Sequence, residues 1–210
     1  MRSRLFSSTL AVAVAVALSV TLVAQDRQGG GGGRGAGGGR GGGRGFSLVP
    51  LLLESDAYAD GAIVPAKYSS AGGSTMPAFK ISNVPMGTVS FAVIFHDIEP
   101  PVGDPPGDVL HAMFWNVPAA SNGWPEGPGD GSKLPAGTVI GNNMTQKPVY
   151  MGPGAPAGPR YHHYIFEVYA LNTNLDIPQT ASRDDLFKAM AGGKVLAKAA
   201  YVGRFRGEAK

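Results

Sequence analysis

The run from Gly29 to Gly45 constrains the fold of this chain most, because the run itself cannot form a packed structure and therefore marks where the folded part can begin. It consists of glycine apart from one alanine and three arginines. Such a segment cannot bury enough apolar surface to offset the entropy that is lost on ordering it. We therefore expect a disordered Gly/Arg-rich linker over residues 25–45 and a single folded domain over residues 46–210.

The first 24 residues have the pattern of an export signal. Arg2 and Arg4 form a short basic region, Leu5 to Val23 is apolar apart from small hydroxyl residues, and Ala24 ends an acceptable cleavage site. We expect a signal peptide over residues 1–24 and a periplasmic or extracellular protein. An uncleaved membrane anchor is the alternative, because about 19 apolar residues is near the lower length for a membrane span.

The net charge of the chain comes from its N-terminus. The chain has 18 basic and 15 acidic residues, and removing the two arginines of the first four residues and the three in the glycine run leaves 13 basic residues. The remainder is thus close to neutral, so we expect no nucleic-acid partner. Weak attraction of the arginines to an anionic membrane surface stays open. The chain has no cysteine, which excludes disulfides, thiolate nucleophiles and cysteine-based zinc sites.

Apolar runs between glycine, proline and asparagine clusters predict a mainly β fold. The runs are Phe46–Leu53, Ala78–Ile81, Val89–Phe95, Val109–Val117, Tyr161–Leu171 and Tyr201–Phe205. Val89–Phe95 is apolar at successive positions apart from Ser90, so both faces of the strand are apolar. This pattern predicts a central strand buried on both faces. Ser182 is a predicted helix N-cap, and Lys194–Ala200 is predicted to form a second short helix, so short peripheral helices are expected near the C-terminus.

Polar side chains collect at the ends of three predicted strands. Asp97 and Glu99 follow the central strand, His111 opens the next apolar strand, and His162 and Tyr164 open the one after. Strand side chains alternate between faces, so His162 and Tyr164 share a face. These groups converge on one pocket if the three strand ends are neighbours. On spacing alone, the alternative is that they are ordinary polar groups at strand ends.

The same histidines raise the question of a metal site. His96, Asp97, His111 and His162 are all metal-ligand types, but their spacing gives no reason to expect tetrahedral convergence. His96 is also expected to point away from Asp97, because the two are adjacent in a strand. We therefore predict neither a metal nor a cofactor.

The segments around these residues occur as motifs in a fixed order. They are Phe95-His-Asp-Ile-Glu-Pro-Pro, His111-Ala-Met-Phe-Trp-Asn-Val-Pro, Trp124-Pro-Glu-Gly, Tyr150-Met-Gly-Pro-Gly-Ala-Pro-Ala-Gly and His162-His-Tyr-Ile-Phe-Glu-Val-Tyr-Ala-Leu. In this order and spacing they resemble the motifs of the phosphatidylethanolamine-binding protein family, in particular its bacterial, Raf kinase inhibitor-like branch. The resemblance extends from roughly Leu52 to Arg206.

The resemblance implies a two-sheet β-sandwich with a pocket at one end of a sheet. In that family the pocket accepts phosphate-like anions, including phospholipid headgroups. Carried over by position, the ligand-binding residues are Asp97, Glu99, His111, Gly152, Pro153, His162 and Tyr164. The chain departs from the family pattern at Glu99, which replaces an aspartate, and at His163, which replaces an arginine.

Three functions follow as hypotheses. The first is a non-catalytic protein that binds a small anionic or zwitterionic ligand such as phosphate or a phosphoethanolamine-like headgroup. Asp97 is expected to orient His111 and to raise its proton affinity, so that binding strengthens at lower pH. The second is an inhibitor of an extracytoplasmic serine carboxypeptidase or similar protease, since some relatives inhibit such enzymes. The third is a small acid/base enzyme that uses Asp97, His111 and His162. A homodimer also stays open.

Overall fold

The computed structural model describes residues 50–103 and 106–208. The predicted signal peptide at 1–24, the predicted linker at 25–45 and the expected domain start at Phe46 lie outside these ranges. Within them, no helix has the length and apolar character that a membrane span needs.

The described residues form two antiparallel sheets and one α-helix. The strands are β1 (Leu52–Glu54), β2 (Phe79–Ser82), β3 (Ser90–Val102), β4 (Gly107–Pro118), β5 (Gly123–Trp124), β6 (Val139–Ile140), β7 (His162–Leu171) and β8 (Val195–Phe205), and the helix is α1 (Arg183–Met190). The small sheet has the order β1-β2-β5, and the large sheet has the order β6-β4-β3-β7-β8. The predicted mainly β, two-sheet class is confirmed.

Strand β3 lies in the middle of the large sheet and is buried on both faces, as predicted. Phe91 and Phe95 point into the core between the two sheets, where they join Phe79 of β2. Ile94 belongs to a second apolar cluster on the opposite face, which is covered by Leu186 of α1. One strand therefore presents successive side chains to two different cores.

Helix α1 begins where the sequence predicts it. The hydroxyl of Ser182 accepts a hydrogen bond from the backbone N–H of Asp185 at 3.2 Å, and the carboxylate of Asp185 accepts one from the backbone N–H of Ser182 at 3.1 Å. This reciprocal pair satisfies two backbone donors that a helix start otherwise leaves unpaired.

The predicted second helix at Lys194–Ala200 is wrong, because Lys194 lies in a turn and the residues from Val195 onward belong to β8. Strand β8 pairs with β7 from Leu171 opposite Val195 to His162 opposite Phe205. Gly192 and Gly193, with φ of 77° and 78°, turn the chain back along the sheet in a conformation that favours glycine. The alanines, leucine and lysines of this segment favour a helix only weakly, and pairing with β7 overrides that preference.

Candidate functional site

Three strands bring the predicted side chains together at one end of the large sheet. Asp97 of β3 lies opposite Tyr164 of β7 in the strand register. The ring centroid of His111, on β4, lies 5.1 Å from that of Tyr164, and the ring of His162 stacks on Tyr164 with 6.4 Å between centroids. One carboxylate, two imidazoles and one phenol thus form a cluster, and their role in binding stays a prediction.

Asp97 makes its hydrogen bond to His162 rather than to His111. Its Oδ2 lies 2.8 Å from Nδ1 of His162, and its Oδ1 accepts a hydrogen bond from the backbone N–H of Glu99 at 3.1 Å. The expectation that Asp97 orients His111 through a direct contact is therefore wrong. The register alone does not explain the difference, because Asp97 lies opposite Val109 of β4 as well as Tyr164 of β7.

His111 is held by the backbone of the loop that follows β6. Its Nδ1 lies 2.8 Å from the carbonyl oxygen of Met151 and must donate, because a carbonyl only accepts. The neutral ring therefore has its lone pair on Nε2. His111 is only 4 % exposed, and this burial lowers its pKa more than the carbonyl of Met151 and the charge of Asp97 raise it. The charge of Asp97 thus acts in the expected direction, but burial outweighs it, so the expected net rise in the proton affinity of His111 is wrong.

The hydroxyl oxygen of Tyr164 receives two backbone hydrogen bonds from the same loop. The N–H groups of Gly154 and Ala155 donate to it at 3.2 and 3.0 Å. Burial raises the pKa of Tyr164, and the nearby charge of Asp97 raises it further. The phenol consequently keeps its proton, which leaves it a hydrogen-bond donor as well as an acceptor.

Gly152 and Pro153 shape this loop through their backbone. The N–H of Gly152 donates to the hydroxyl of Ser74 at 3.0 Å, and the hydroxyl of Ser70 donates to the carbonyl of Gly152 at 2.6 Å. The carbonyl of Pro153 accepts from the backbone N–H of Ser70 at 2.9 Å. A Cβ atom at Gly152 would lie 2.3 Å from the carbonyl oxygen of Tyr68, so the close approach requires glycine.

Glu99 joins the far end of β3 to β7. Its Oε1 lies 2.6 Å from Nδ1 of His163, and its Oε2 accepts from the backbone N–H of His163 at 2.6 Å. His163 was not among the predicted site residues. Its signal in the sequence was the replacement of a family arginine, since both residue types can hold a carboxylate.

A cavity of about 320 Å³ opens beside this cluster. It is lined by Glu99, Pro100, Pro156, Ala157, Gly158, Pro159, Arg160 and His162. Neither His111 nor Tyr164 lines it. Tyr164 is 1 % exposed and packs beneath His162. His111 and Tyr164 therefore form an inner layer behind the residues that line the cavity. Arg160 was not among the predicted site residues. It stands two residues before His162, and strand side chains at this spacing share a face.

Asp97, Glu99 and His162 are the one group of described residues whose side chains could hold a metal ion. One ligand atom from each lies within 4.8 Å of the others. Both carboxylates already receive hydrogen bonds from imidazoles, so a cation would compete with these contacts.

His96 takes no part in this cluster, as expected. Its Nδ1 lies 2.5 Å from Oδ2 of Asp108, whose other oxygen accepts a hydrogen bond from Arg183 of α1. The four-residue metal set that includes His96 therefore does not converge. The Nε2 atom of His96 is buried and has no hydrogen-bond partner among the described residues.

Comparisons with known proteins agree with this fold. A family model described as phosphatidylethanolamine-binding protein matches residues 54–206. A UPF0098 protein of Methanothermobacter thermautotrophicus is 35% identical over 155 residues, which cover 73% of this chain and 97% of that protein. LppC of Mycobacterium tuberculosis, which is named as a lipoprotein, is 30% identical over 158 residues, covering 75% of this chain and 73% of LppC. The crystal structure of Escherichia coli YbcL has a TM-score of 0.67 and 29% identity, covering 75% of this chain and 99% of YbcL. Since the family model spans most of the chain in the matching fold, the chain belongs to the phosphatidylethanolamine-binding protein family.

Proposed function

We propose that this chain is an exported, non-catalytic protein that binds a small phosphate-bearing zwitterion of the phospholipid-headgroup type. The proposed binding residues are Asp97, Glu99, His111, Gly152, Pro153, His162 and Tyr164, with Arg160 added from the structure; of these, Glu99, Arg160 and His162 line the cavity, and the others lie behind it. The observation that carries the proposal is the presence of opposite charges on the wall of one small cavity. Arg160 and Glu99 both line it, beside the imidazole of His162.

The phosphate end has two donors in this cavity. Arg160 takes part in none of the ion pairs formed by the described residues. A guanidinium group matches the geometry of phosphate oxygens and binds them through two parallel hydrogen bonds. His162 has its Nδ1 engaged by Asp97, so its Nε2 is the atom that donates to a phosphate oxygen when the ring is protonated.

The ammonium end has an acidic partner in Glu99. This carboxylate lines the cavity while His163 holds both of its oxygens in place. A held carboxylate binds an ammonium group at a lower entropic cost than a freely rotating one. A ligand that carries both charges satisfies Arg160 and Glu99 together, whereas phosphate or ethanolamine alone satisfies one of them.

The inner layer makes binding depend on pH. Burial lowers the pKa of His111, so the ring is neutral at neutral pH and its Nε2 accepts rather than donates. A bound phosphate group stabilises the charged form of His111, so binding is coupled to proton uptake. Affinity should therefore rise as the pH falls below about 6.5, the ordinary pKa of histidine.

Export and the absence of catalysis complete the proposal. Export is supported by the signal-like pattern of residues 1–24 and by the lipoprotein name of LppC. Non-catalytic binding is supported by the hydrogen bonds of Ser70 and Ser74, which join both hydroxyls to the backbone of Gly152 rather than to a histidine or carboxylate base that would activate them as nucleophiles.

Calorimetric titration of the full-length protein tests the proposal. Phosphoethanolamine, inorganic phosphate and ethanolamine would each be titrated at about pH 5.5 and about pH 8, on either side of the ordinary histidine pKa. We expect phosphoethanolamine to bind most tightly and to bind better at the lower pH. If none of the three binds at either pH, the proposal fails.

Two variants test the assigned charges. Arg160→Ala should weaken phosphate and phosphoethanolamine binding about tenfold, the size of one lost charge-assisted contact. Glu99→Gln should remove the preference for phosphoethanolamine over phosphate. Lys188→Ala, on α1 at the opposite face of the large sheet, is the matched control and should bind like the unmodified protein. Equal affinity of Arg160→Ala and the control would contradict the assignment.

A further inference from the structure

The outermost strand of the large sheet has a backbone edge that is only partly covered. Strand β8 pairs with β7 on one side, and residues 60–64 cover the end of its other side. The N–H of Gly61 donates to the carbonyl of Val202 at 2.8 Å. The N–H of Arg204 donates to the carbonyl of Ala62, also at 2.8 Å. This cover begins at Val202 and leaves the earlier part of β8 to be accounted for.

Lys198 and Ala200 continue this edge without a backbone partner. Alternate residues of a strand direct their N–H and C=O groups to the same side, so these two residues face the same way as Val202 and Arg204. The pairing with β7 keeps its register over residues 197–205, so this alternation is not interrupted. Among the described residues, no backbone hydrogen bond reaches Lys198 or Ala200 from this side, and both residues are exposed. Two donors and two acceptors are therefore open to solvent.

The features that usually protect a sheet edge do not protect this stretch. Proline, a covering loop or a charged side chain that crosses the edge prevents a strand from pairing with another chain. Residues 197–200 read Ala-Lys-Ala-Ala, so the one charge is that of Lys198. Its ammonium group lies 2.6 Å from Oε1 of Glu167 and 5.0 Å from the ring centroid of Tyr169, both on β7. These contacts hold the lysine over the face of the sheet and leave the edge accessible.

We infer that the free edge of β8 binds an extended peptide segment of another protein as an added strand. An extended backbone presents N–H and C=O groups at the spacing that pairs with Lys198 and Ala200, and it gives all four open groups a partner. Lys198 and Ala200 lie opposite Tyr169 and Glu167, away from the end of β7 that carries His162. The inference therefore does not depend on the proposed headgroup site.

The side chains beside the edge indicate what this segment carries. Paired residues direct their side chains to the same face of a sheet, so the residue opposite Lys198 lies beside its ammonium group and is best acidic. On the other face, Ala197 and Ala199 pack with Leu53 of β1 against the core between the sheets. Because alanine side chains are small, an apolar residue opposite each of them covers apolar surface at the edge. The segment is therefore an acidic residue flanked by apolar residues.

The β8 strand of a second copy fits this edge poorly. In an antiparallel pair of two such strands, Lys198 lies opposite either Lys198 or Ala200 of the second copy. The first register sets two lysines directly opposite each other, which is unfavourable. In the second register, Leu196 of the second copy lies opposite Val202, where Gly61 already binds. A short segment that ends before Gly61 meets neither obstacle.

A synthetic peptide tests the inference. The probe is acetyl-Thr-Val-Glu-Val-Thr-amide, which is titrated into the full-length protein and followed by NMR with hydrogen exchange. In the free protein, the amides of Lys198 and Ala200 should exchange fast, whereas the amides of Ala197 and Ala199, which face β7, should exchange slowly. The probe should slow exchange at Lys198 and Ala200. N-methylation of its glutamate, whose N–H faces β8, should abolish this effect, and N-methylation of its first valine, whose N–H points away, should not.

Two proline variants test the same edge from the protein side. Ala200→Pro removes one open donor and keeps the pairing with β7, because proline is tolerated in an edge strand where its nitrogen faces solvent. It should weaken probe binding at least about fivefold, the effect of one lost neutral hydrogen bond. Ala66→Pro is the control and should bind the probe like the unmodified protein. Ala66 is exposed and begins a short 3₁₀ helix, and Pro65 before it has the extended backbone that proline requires of its predecessor.

Several outcomes would overturn the inference. Equal binding to Ala200→Pro and Ala66→Pro, or equal binding of the two N-methylated peptides, would show that the probe is not held by the edge. If Ala200→Pro does not fold, the two N-methylated peptides decide the question. Amides of Lys198 and Ala200 that are already protected in the free protein would show a covered edge, by a second copy if dilution removes the protection and by the chain itself if it does not. A probe that leaves exchange at both amides unchanged would also overturn it.

Discussion

Asp108→Asn should destabilise the protein by about 2 kcal/mol, because one carboxylate links three elements of the fold. Asp108 lies on β4, and its two oxygens accept hydrogen bonds from His96 of β3 and from Arg183, the first residue of α1. Removing a charge-assisted hydrogen bond costs about 1.5–3 kcal/mol at a buried site. Asparagine keeps one acceptor oxygen, and the Asp108 side chain is 22 % exposed, so we expect less than the loss of two full bonds.

The pH dependence of this loss has a definite sign. Partial burial opposes ionisation of Asp108, but the hydrogen bonds from Arg183 and His96 outweigh it, and the pKa lies below its ordinary value. A lowered carboxyl pKa stabilises the folded state above the unfolded value of about 3.9, and this stabilisation disappears as the pH falls through the folded value. The difference between the two proteins should therefore be complete at neutral pH and shrink below about pH 4.

Urea and thermal unfolding measure the effect. A loss of about 2 kcal/mol should lower the midpoint temperature by about 4–8 °C in a folded part of this size. Asp56→Asn is the control, because the Asp56 side chain is 98 % exposed and comes no closer than 4.0 Å to the ammonium group of Lys80. If Asp108→Asn unfolds within about 0.5 kcal/mol of this control, or if the difference persists unchanged in acid, the carboxylate does not link the elements as described.

Further predictions concern the loop and the inner layer. Gly152→Ala should lower the midpoint temperature of unfolding by several degrees, because its Cβ would lie 2.3 Å from the carbonyl oxygen of Tyr68. Gly158→Ala is the control and should leave the midpoint unchanged, because a Cβ there has no atom within 4 Å. Equal midpoints for the two variants would contradict this prediction. Tyr164→Phe should speed hydrogen exchange at the amides of Gly154 and Ala155, which lose their acceptor, but not at Gly152, whose N–H donates to Ser74; unchanged exchange would show that the phenol does not hold the loop. An NMR titration should give His111 a pKa below the ordinary value of about 6.5, with the proton of the neutral ring on Nδ1, and a higher pKa would refute the argument from burial.

The sequence predicts most of the fold where local pattern and tertiary context agree. The run at Val89–Phe95, which is apolar apart from Ser90, identifies a strand buried on both faces, and Ser182 marks the helix start. It fails at Lys194–Ala200, because alanine, leucine and lysine carry a helical preference that pairing with β7 overrides. The two-residue strands β5 and β6 are too short to produce a pattern.

The site is predictable in its membership and less so in its contacts. Alternation along the strands groups His162 with Tyr164, but only the side-chain contacts show that Asp97 meets His162 rather than His111, because Asp97 lies opposite residues of both neighbouring strands. The direction of the His111 pKa shift depends on burial, which the sequence does not specify. Arg160 was overlooked because it precedes the strand, outside the motif that identifies the site.

The two-faced burial of β3 restricts which length changes this protein tolerates. Asp97 and His96 are neighbours in sequence but lie on opposite sides of the sheet. Asp97 belongs to the proposed pocket, and His96 binds Asp108, which in turn binds α1. Inserting or deleting one residue between Phe91 and Phe95 would exchange the two sides for every residue that follows, placing Asp97 under the helix and His96 in the pocket. Variation along this strand should therefore proceed by substitution alone.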